Sequence, residues 1–326
     1  MVKRVFERQT LPFSTDFSLA GTRCLLSTNS HEILRQAMRW QGSAPASGER
    51  TFWMEMMEDP SFKCEERALS HFRGLRHVVL ANIESKAFVA FDLLRKRVMG
   101  VICPAVARDD SFWDQRLLPV TIGVLGTTLG VAPLHCACLD RRGKALLVAG
   151  ASGAGKSTLS AALAQRGFAV VSDDWSYLSR TPGGLIAYGL SATVKLLPDA
   201  VRFFRELHGY STRKTFNGEF AYEIDPVRTL SSAAATSSKP QWLLFLERTV
   251  TRGSHFIPCR SDYARQFFEE FAERLPEELP HMRIARSEVI NALSACRCWI
   301  FRTGESPQGA AEAIQKFLEN SDHVAA

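Results

Sequence analysis

The stretch "LLVAGASGAGKSTLSAALAQRGFAVVSDDW", residues 146–175, combines a glycine-rich loop, a lysine followed by two hydroxyl side chains, and two adjacent aspartates. The spacing from Gly150 to the triplet at residues 155–157 fits G-x-x-x-x-G-K-[ST], the pattern of a phosphate-binding loop (P-loop). In such a loop, backbone N–H groups and the N-terminus of the next helix surround phosphate oxygens. The stretch therefore predicts a nucleotide-binding site.

Single positions of this loop have separate expected roles. Gly153 and Gly155 permit positive φ, Lys156 brings a flexible positive charge to the terminal phosphates, and the Ser157 hydroxyl is a ligand for Mg²⁺. The candidate nucleotide-binding residues are the whole loop, namely Gly150, Ala151, Ser152, Gly153, Ala154, Gly155, Lys156, Ser157 and Thr158.

The flanking sequence favours a strand before the loop and a helix after it. "ALLVA" at residues 145–149 is a short apolar run, and "KSTLSAALAQRG" has helical periodicity that ends at Gly167. "FAVVS" reads as a second strand, parallel to the first. Since ligands collect at the carboxyl ends of such strands, Asp173 and Asp174 are expected beside the bound phosphates.

A carboxylate at that place has two chemical uses, holding Mg²⁺ or accepting the proton of an attacking hydroxyl. Successive strand residues point to opposite faces, so one aspartate of the pair suffices unless the strand has already ended. The alternative is that "SDD" is merely a polar exit from a strand, where aspartate is common. The P-loop favours the functional interpretation.

Composition indicates an ordinary globular protein. The 326 residues are 46% hydrophobic and 23% charged, and the formal net charge is +6. Lysine and arginine are scattered, so neither nucleic acid nor a membrane surface is an expected partner. The N-terminus lacks the apolar core of a signal peptide, and we expect a cytoplasmic protein. Eight dispersed cysteines, without C-x-x-C spacing, are expected to be buried thiols.

The chain is long enough for two domains, and we expect an accessory α+β domain over residues 1–110 and a P-loop domain over residues 111–326. In the first, "KAFVAFDLLRKRVMGVI" reads as a β-hairpin, and Asp109 or Asp110 is expected to cap the next helix. In the second, "YSTRKTFNGEF" and "SSAAATSSKP" look like mobile loops, the first of them a candidate lid. In "WLLFLER" the apolar run is followed by Glu247, which is either the acid of an ATPase-type strand or an exposed end of a core strand.

Three features in sequence order resemble the bacterial HPr kinase/phosphorylase family and the related serine kinases with a phosphoenolpyruvate-carboxykinase-type P-loop. They are His135, the loop at residues 150–157 and the Asp173-Asp174 pair. The segment "RGFAVVSDD" is also similar to that family's sequence, and about forty residues carry the likeness. The resemblance implies a mixed α/β (α+β) fold, with a kinase domain of this type and a smaller N-terminal domain.

The resemblance also implies a reaction, the transfer of the ATP γ-phosphate to a serine of a protein or peptide substrate, with ATP and Mg²⁺ as cofactors. Asp174 would accept the proton, Asp173 and Ser157 would bind the metal, Lys156 would neutralise phosphate charge, and His135 would help arrange the site. HPr kinases are hexameric, so a homo-oligomer is one expected state.

The sequence departs from the family at several places. Ala151 stands where HPr kinases usually have an acid, and "GLSATVKLLPDA" replaces a glutamate-bearing segment, with Lys195 as its only charged group before Asp199. The segment needed for the reverse phosphorolysis is not recognisable either. These departures together indicate that HPr itself is not an expected substrate and that phosphorylase activity is not expected. Two alternatives stay open, a small-metabolite kinase of the shikimate type and a nucleotide-gated regulator without catalysis.

Overall fold

The computed structural model describes residues 10–40, 50–63, 70–191, 193–215, 218–250, 252–270 and 279–323. The chain divides into two compact units. One contains Met1–Ala132 and Glu273–Arg286, and the other contains Pro133–Ala272 and Ser287–Ala326.

A seven-stranded sheet forms the first unit, in the order β1-β2-β3-β7-β6-β5-β4. Its strands alternate between buried apolar and more exposed residues, so that one face supplies the core. In the third strand, Phe52, Met54 and Met56 are fully buried. The strands are β1 (Phe13–Leu19), β2 (Thr22–Thr28), β3 (Thr51–Glu58), β4 (His71–Leu75), β5 (Val78–Ile83), β6 (Ala87–Asp92) and β7 (Arg97–Ile102). The last two form the predicted hairpin.

The helices of the first unit are α1 (His31–Met38), α2 (Pro104–Ala107), α3 (Asp110–Phe112) and α4 (Leu118–Leu125), with a π-helical turn at Trp113–Leu117. Asp109 caps α3 by accepting a hydrogen bond from the Phe112 amide at 3.0 Å. Of the two caps expected, Asp109 and Asp110, it is therefore the first that the structure has. The Thr128 hydroxyl donates to the Leu93 carbonyl oxygen at 3.1 Å. Such contacts place residues 111–132 with the first unit, whereas the expected boundary lay near residue 110.

The second unit is built on a larger sheet, in the order β11-β9-β10-β17-β13-β12-β8, with two further strands, β19 beside β17 and β18 beside β19. Its strands are β8 (Val131–Leu134, whose first two residues belong to the first unit), β9 (Ala137–Arg141), β10 (Lys144–Ala149), β11 (Ala169–Ser172), β12 (Ser176–Thr181), β13 (Gly184–Tyr188), β17 (Ser237–Arg248), β18 (Ser254–Pro258) and β19 (Arg297–Thr303). The parallel strands β10, β17 and β19 are its centre, and β10 and β17 are rich in fully buried apolar residues.

The P-loop follows β10 and leads into the helix α5 (Lys156–Ala164), as predicted. The next strand, β11, runs parallel to β10 but is not its neighbour. Strand β9 lies between them and pairs antiparallel with both. Because β10 and β11 point the same way, their carboxyl ends reach the same edge of the sheet. This edge carries the P-loop and the aspartate pair.

A small three-stranded sheet contributes to the same unit, in the order β14-β16-β15, with β14 (Val194–Leu196), β15 (Arg213–Lys214) and β16 (Phe220–Ile224). The prediction of a loop across "YSTRKTFNGEF" is therefore wrong for β15 and the start of β16, and its residues 216–217 lie outside the described residues. The second predicted loop is wrong from Ser237 onwards, where β17 begins. The remaining helices are α6 (Pro226–Leu230), α7 (Ser261–Glu270), α8 (Pro280–Ala292) and α9 (Pro307–His323).

The prediction that the cysteines are thiols is wrong for three of them. Cys259 and Cys298 form a disulfide with a Cα–Cα distance of 5.6 Å, and Cys103 is also disulfide-bonded. The first bond arises because β18 pairs antiparallel with β19, which brings the Cys259 amide to 3.2 Å from the Cys298 carbonyl oxygen. Among the described residues, Cys24, Cys136, Cys138 and Cys296 are free and buried; Cys64 lies outside them. Across the described ranges, no helix has the length and apolarity needed to span a membrane.

Candidate functional site

The P-loop backbone depends on its glycines. Gly153 and Gly155 have φ of +76° and +95°, values that glycine adopts without steric cost, and Gly155 is the residue before the first turn of α5. At Gly150 the constraint is close approach, since a Cβ atom there would lie 2.9 Å from the Leu246 carbonyl oxygen of β17. The predicted loop geometry is therefore present.

Lys156 is buried against this loop, with 8% of its surface exposed. Its Nζ donates to the carbonyl oxygens of Gly150 at 2.9 Å and Ala151 at 3.2 Å. Burial lowers the pKa of Lys156, while the negative charges of Asp174 and Asp173 act in the opposite direction. The lysine and both aspartates thus share one electrostatic environment, as the sequence predicted.

Asp173 is almost fully buried, with 3% of its surface exposed. Its Oδ2 accepts a hydrogen bond from the Lys195 amide at 3.2 Å, whereas its buried Oδ1 has no hydrogen-bond partner within the described residues. Burial raises the pKa of Asp173 to about 6, even though the Lys195 amide and the nearby hydroxyls of Ser157 and Ser160 lower it. A buried carboxylate oxygen without a donor is suited to a cation.

Asp174 follows Asp173 beyond the end of β11 and is more exposed than it. Its carboxylate contacts the imidazole of His135. The His135 Nε2 lies 3.0 Å from Asp174 Oδ1, and the two side chains are 34% and 47% exposed. Burial acts to raise the pKa of Asp174, but the hydrogen bond and charge of His135, with the charges of Lys195 and Lys156, lower it below the ordinary value. Asp174 is therefore ionised at neutral pH and has Oδ2 available for another proton.

A break between the strands β8 and β9 brings His135 to this position. Residues 135 and 136 separate β8 from β9, and the Cys136 carbonyl oxygen accepts a hydrogen bond from the Ser176 hydroxyl at 2.8 Å. The imidazole also stacks on the Trp175 ring, with centroids 5.4 Å apart and planes inclined by 25°. The strand break and the stacking together orient His135 towards Asp174.

The residues present fit a Mg²⁺ ion bound largely through phosphate. Asp173 offers an unpartnered oxygen, and the Ser157 hydroxyl is close enough to influence its pKa. Mg²⁺ commonly uses one or two protein oxygens and completes its shell with phosphates and water. Within the described residues there is no group of three or more His, Cys, Asp or Glu side chains that holds a metal by itself.

Sequence reasoning did not identify Lys195 as a site residue. The charged residue was visible in the segment after the aspartates, but its pairing with Asp173 depends on where β14 lies in space. Glu247 is the acid near the end of β17. It accepts a hydrogen bond at 2.6 Å from the Nε of Arg302, which lies on the neighbouring strand β19. Its geometry agrees with the interpretation as a partly exposed end of a core strand.

Comparison with known proteins finds similarity among solved structures. No protein-family model and no curated protein sequence matches the chain. The solved structure of the Hpr(Ser) kinase/phosphatase from Coxiella burnetii is similar over 60% of this chain and 98% of that chain, with 12% sequence identity and a TM-score of 0.31. The sheets and helices of the described residues make this a mixed α/β protein with several sheets.

Proposed function

We propose that this protein is an ATP- and Mg²⁺-dependent kinase of the cytoplasm that phosphorylates a serine or a similar hydroxyl of a protein or peptide. The observation that carries the proposal is the shared environment of Lys156, Asp173 and Asp174 at one sheet edge. A P-loop lysine and two carboxylates in different protonation environments are the groups that phosphoryl transfer needs.

The loop and the helix α5 account for binding. The amides of residues 150–158 and the positive end of α5 surround phosphate oxygens, and Lys156 neutralises charge that builds up on them. Its ammonium already lies at the loop, on the carbonyl oxygens of Gly150 and Ala151, so little side-chain ordering is needed when a nucleotide binds.

Asp174 accounts for proton transfer. The acceptor oxygen forms a bond to the γ-phosphorus, the bond from that phosphorus to the leaving ADP oxygen breaks, and the acceptor proton passes to Asp174 Oδ2. His135 holds the other oxygen, Oδ1, and so fixes the orientation of the carboxylate. Asp173 and Ser157 would hold Mg²⁺, which supplies charge neutralisation between the phosphates.

Two measurements on the purified full chain test the proposal. Calorimetric titration with ATP and MgCl₂ is expected to show binding that Lys156→Met weakens about tenfold or more. Degenerate peptides with a fixed central serine, incubated with γ-³²P-labelled ATP, are expected to gain label, unlike peptides with alanine at that position. Lys316→Met is a matched control, since Lys316 pairs with Glu312 on the exposed side of α9.

Absence of nucleotide binding by the wild-type protein would overturn the proposal. Binding without label in any peptide would identify a nucleotide-gated regulator instead, and label that enters only small molecules would identify a metabolite kinase. Calorimetry detects the first outcome, and the place where the label is recovered distinguishes the other two.

A further inference from the structure

Lys195 supplies a second cation beside the aspartates. In β14, Val194 and Leu196 are fully or almost fully buried in the core, so the side chain between them leaves the strand on the other face. Its backbone amide is 3.2 Å from Asp173 Oδ2, which fixes the strand against the aspartate pair. Within the described residues, the Lys195 ammonium makes no hydrogen bond and no ion pair.

Glu223 lies directly opposite Lys195. The two residues are partners in the antiparallel register of β14 and β16, and opposed residues present their side chains on the same face of a sheet, with Cβ atoms about 5 Å apart. The Glu223 Oε1 atom is buried and has no hydrogen-bond partner among the described residues. A buried carboxylate oxygen is therefore available to hold the Lys195 ammonium.

The positive charges of two lysines affect the same carboxylate, that of Asp174. The Lys195 amide bonds to Asp173, the residue before Asp174, so Lys195 lies beside the proposed proton acceptor. In agreement with this position, the charges of Lys195 and Lys156 both lower the pKa of Asp174. Lys156 is held by P-loop carbonyls and belongs to the nucleotide side of the site. Lys195 approaches from β14, which is the side of the aspartates.

We propose that Lys195 is a further catalytic residue that binds the transferred γ-phosphoryl group, and that Glu223 is a positioning residue that aims the Lys195 ammonium. The inference rests on the proposed function and adds to it a second cation for the charge that spreads over the γ-phosphate oxygens during transfer. Two cations on opposite sides of that group stabilise the charge better than one. Since ADP has no γ-phosphate, it has no contact with Lys195.

The difference between an ATP analogue and ADP tests Lys195. We expect Lys195→Met to weaken binding of the non-hydrolysable analogue AMP-PNP, with MgCl₂, about tenfold. ADP binding is expected to stay within about twofold of wild type, because the γ-phosphate contact is the one removed. Lys195→Arg restores most of the affinity, Lys156→Met weakens both nucleotides, and Lys316→Met changes neither.

The outcomes separate this inference from the proposed function. If wild type binds both nucleotides and Lys195→Met binds AMP-PNP normally, the role of Lys195 is refuted and the kinase proposal stands. Equal losses for AMP-PNP and ADP would show a structural effect and would also refute it. If wild type binds neither nucleotide, both proposals fail. Melting curves of each variant show whether it is folded.

A double-mutant cycle tests Glu223. We expect Glu223→Gln to weaken AMP-PNP binding about threefold in the wild-type background and to have no further effect in the Lys195→Met background, because Glu223 acts through that lysine. An equal loss in both backgrounds would show that Glu223 acts independently and would refute its positioning role.

Discussion

The His135 Nε2 lies 3.0 Å from the Asp174 Oδ1, between a residue at a strand break and a residue at the end of β11. This contact fixes one oxygen of the carboxylate and leaves the other for an acceptor hydroxyl. The neighbouring Asp173 is buried and faces the P-loop serine instead. Two adjacent aspartates thus have different environments and, in the proposed function, different tasks.

Asp174→Asn separates proton transfer from nucleotide binding. The amide has nearly the same size but does not accept a proton, so transfer should fall by about 10²–10⁴-fold while the affinity for ATP with Mg²⁺ stays within about twofold. Calorimetry measures the binding and labelled ATP measures the transfer. Asp199→Asn, at an exposed aspartate paired with Arg202, is the control. Equal transfer rates for Asp174→Asn and wild type would refute the role of this residue as base.

His135→Ala should shift the pH dependence of transfer. The hydrogen bond and charge of His135 lower the pKa of Asp174, so their loss moves this pKa upward. Since the base must be unprotonated, the acidic limb of the pH–rate profile moves to higher pH in the variant. If the transfer rate falls at every pH and the acidic limb stays at the same pH, His135 does not act through Asp174.

Asp173 should make the stability of the ligand-free protein depend on pH. Its pKa is about 6 in the folded protein against an ordinary value of 3.8, so the folded protein binds the proton more tightly. The stability that this group contributes is complete below pH 3.8 and is lost as the pH rises through 6. The shift corresponds to about 3 kcal/mol of unfolding free energy.

Asp173→Asn removes that dependence. Relative to wild type, the variant should gain about 2 kcal/mol of unfolding free energy on going from about pH 4 to about pH 7.5, since the unfolded carboxyl is already partly ionised at pH 4, and it should lose Mg²⁺-dependent nucleotide affinity. Urea denaturation at the two pH values measures the first effect. Asp199→Asn should show no such pH-dependent difference. If the Asp173→Asn and wild-type stabilities differ equally at both pH values, the buried carboxylate is not the cause.

The local parts of the fold were predictable from the sequence. The apolar run of β10, the glycine spacing of the P-loop and the periodicity of α5 are each encoded within a few neighbouring residues. The parallel direction of β11, and with it the position of Asp173 and Asp174, followed from the short connections of the strand–helix–strand unit. These features predicted most of the candidate site.

The parts that sequence reasoning missed depend on long-range pairing. Strand β9 precedes β10 in the chain but lies between β10 and β11, and no local pattern indicates this. The amide of Lys195 reaches Asp173, and Cys259 reaches Cys298, only because of strand placement and register. The loop predicted over residues 231–240 is wrong from Ser237 onwards, because small polar residues are compatible with a strand once β13 and β10 pair with β17.

The disulfide between Cys259 and Cys298 should contribute to the stability of the second unit. It joins residues that are 39 positions apart in the sequence. For a loop of this length, the entropy that the cross-link removes from the unfolded chain corresponds to about 4 kcal/mol of unfolding free energy. We expect a double variant, Cys259→Ala with Cys298→Ala, to lose about this much unfolding free energy in non-reducing buffer, measured by urea denaturation. Cys296→Ala removes a free, buried thiol just before β19 and is the control. A double variant as stable as wild type would contradict the expectation.

Gly189→Ala should be among the most destabilising single substitutions in the second unit. A Cβ atom at Gly189 would lie 1.6 Å from the Val171 carbonyl oxygen, so either β11 or the end of β13 must move. A forced backbone shift of this kind costs about 2–4 kcal/mol. Because β11 leads directly into the aspartate pair, the shift should also reduce phosphate transfer.

Gly123→Ala should change the unfolding free energy in the opposite direction. Gly123 lies in the helix α4, and a Cβ atom there meets no atom within 4 Å. Alanine should therefore raise the unfolding free energy by about 0.5–1 kcal/mol, because it restricts the unfolded chain without a clash in the fold. Melting curves of the two variants measure both effects. If Gly189→Ala melts at or above the wild-type temperature, β11 and the residue after β13 are not in the close contact that places Asp173 and Asp174 at the P-loop.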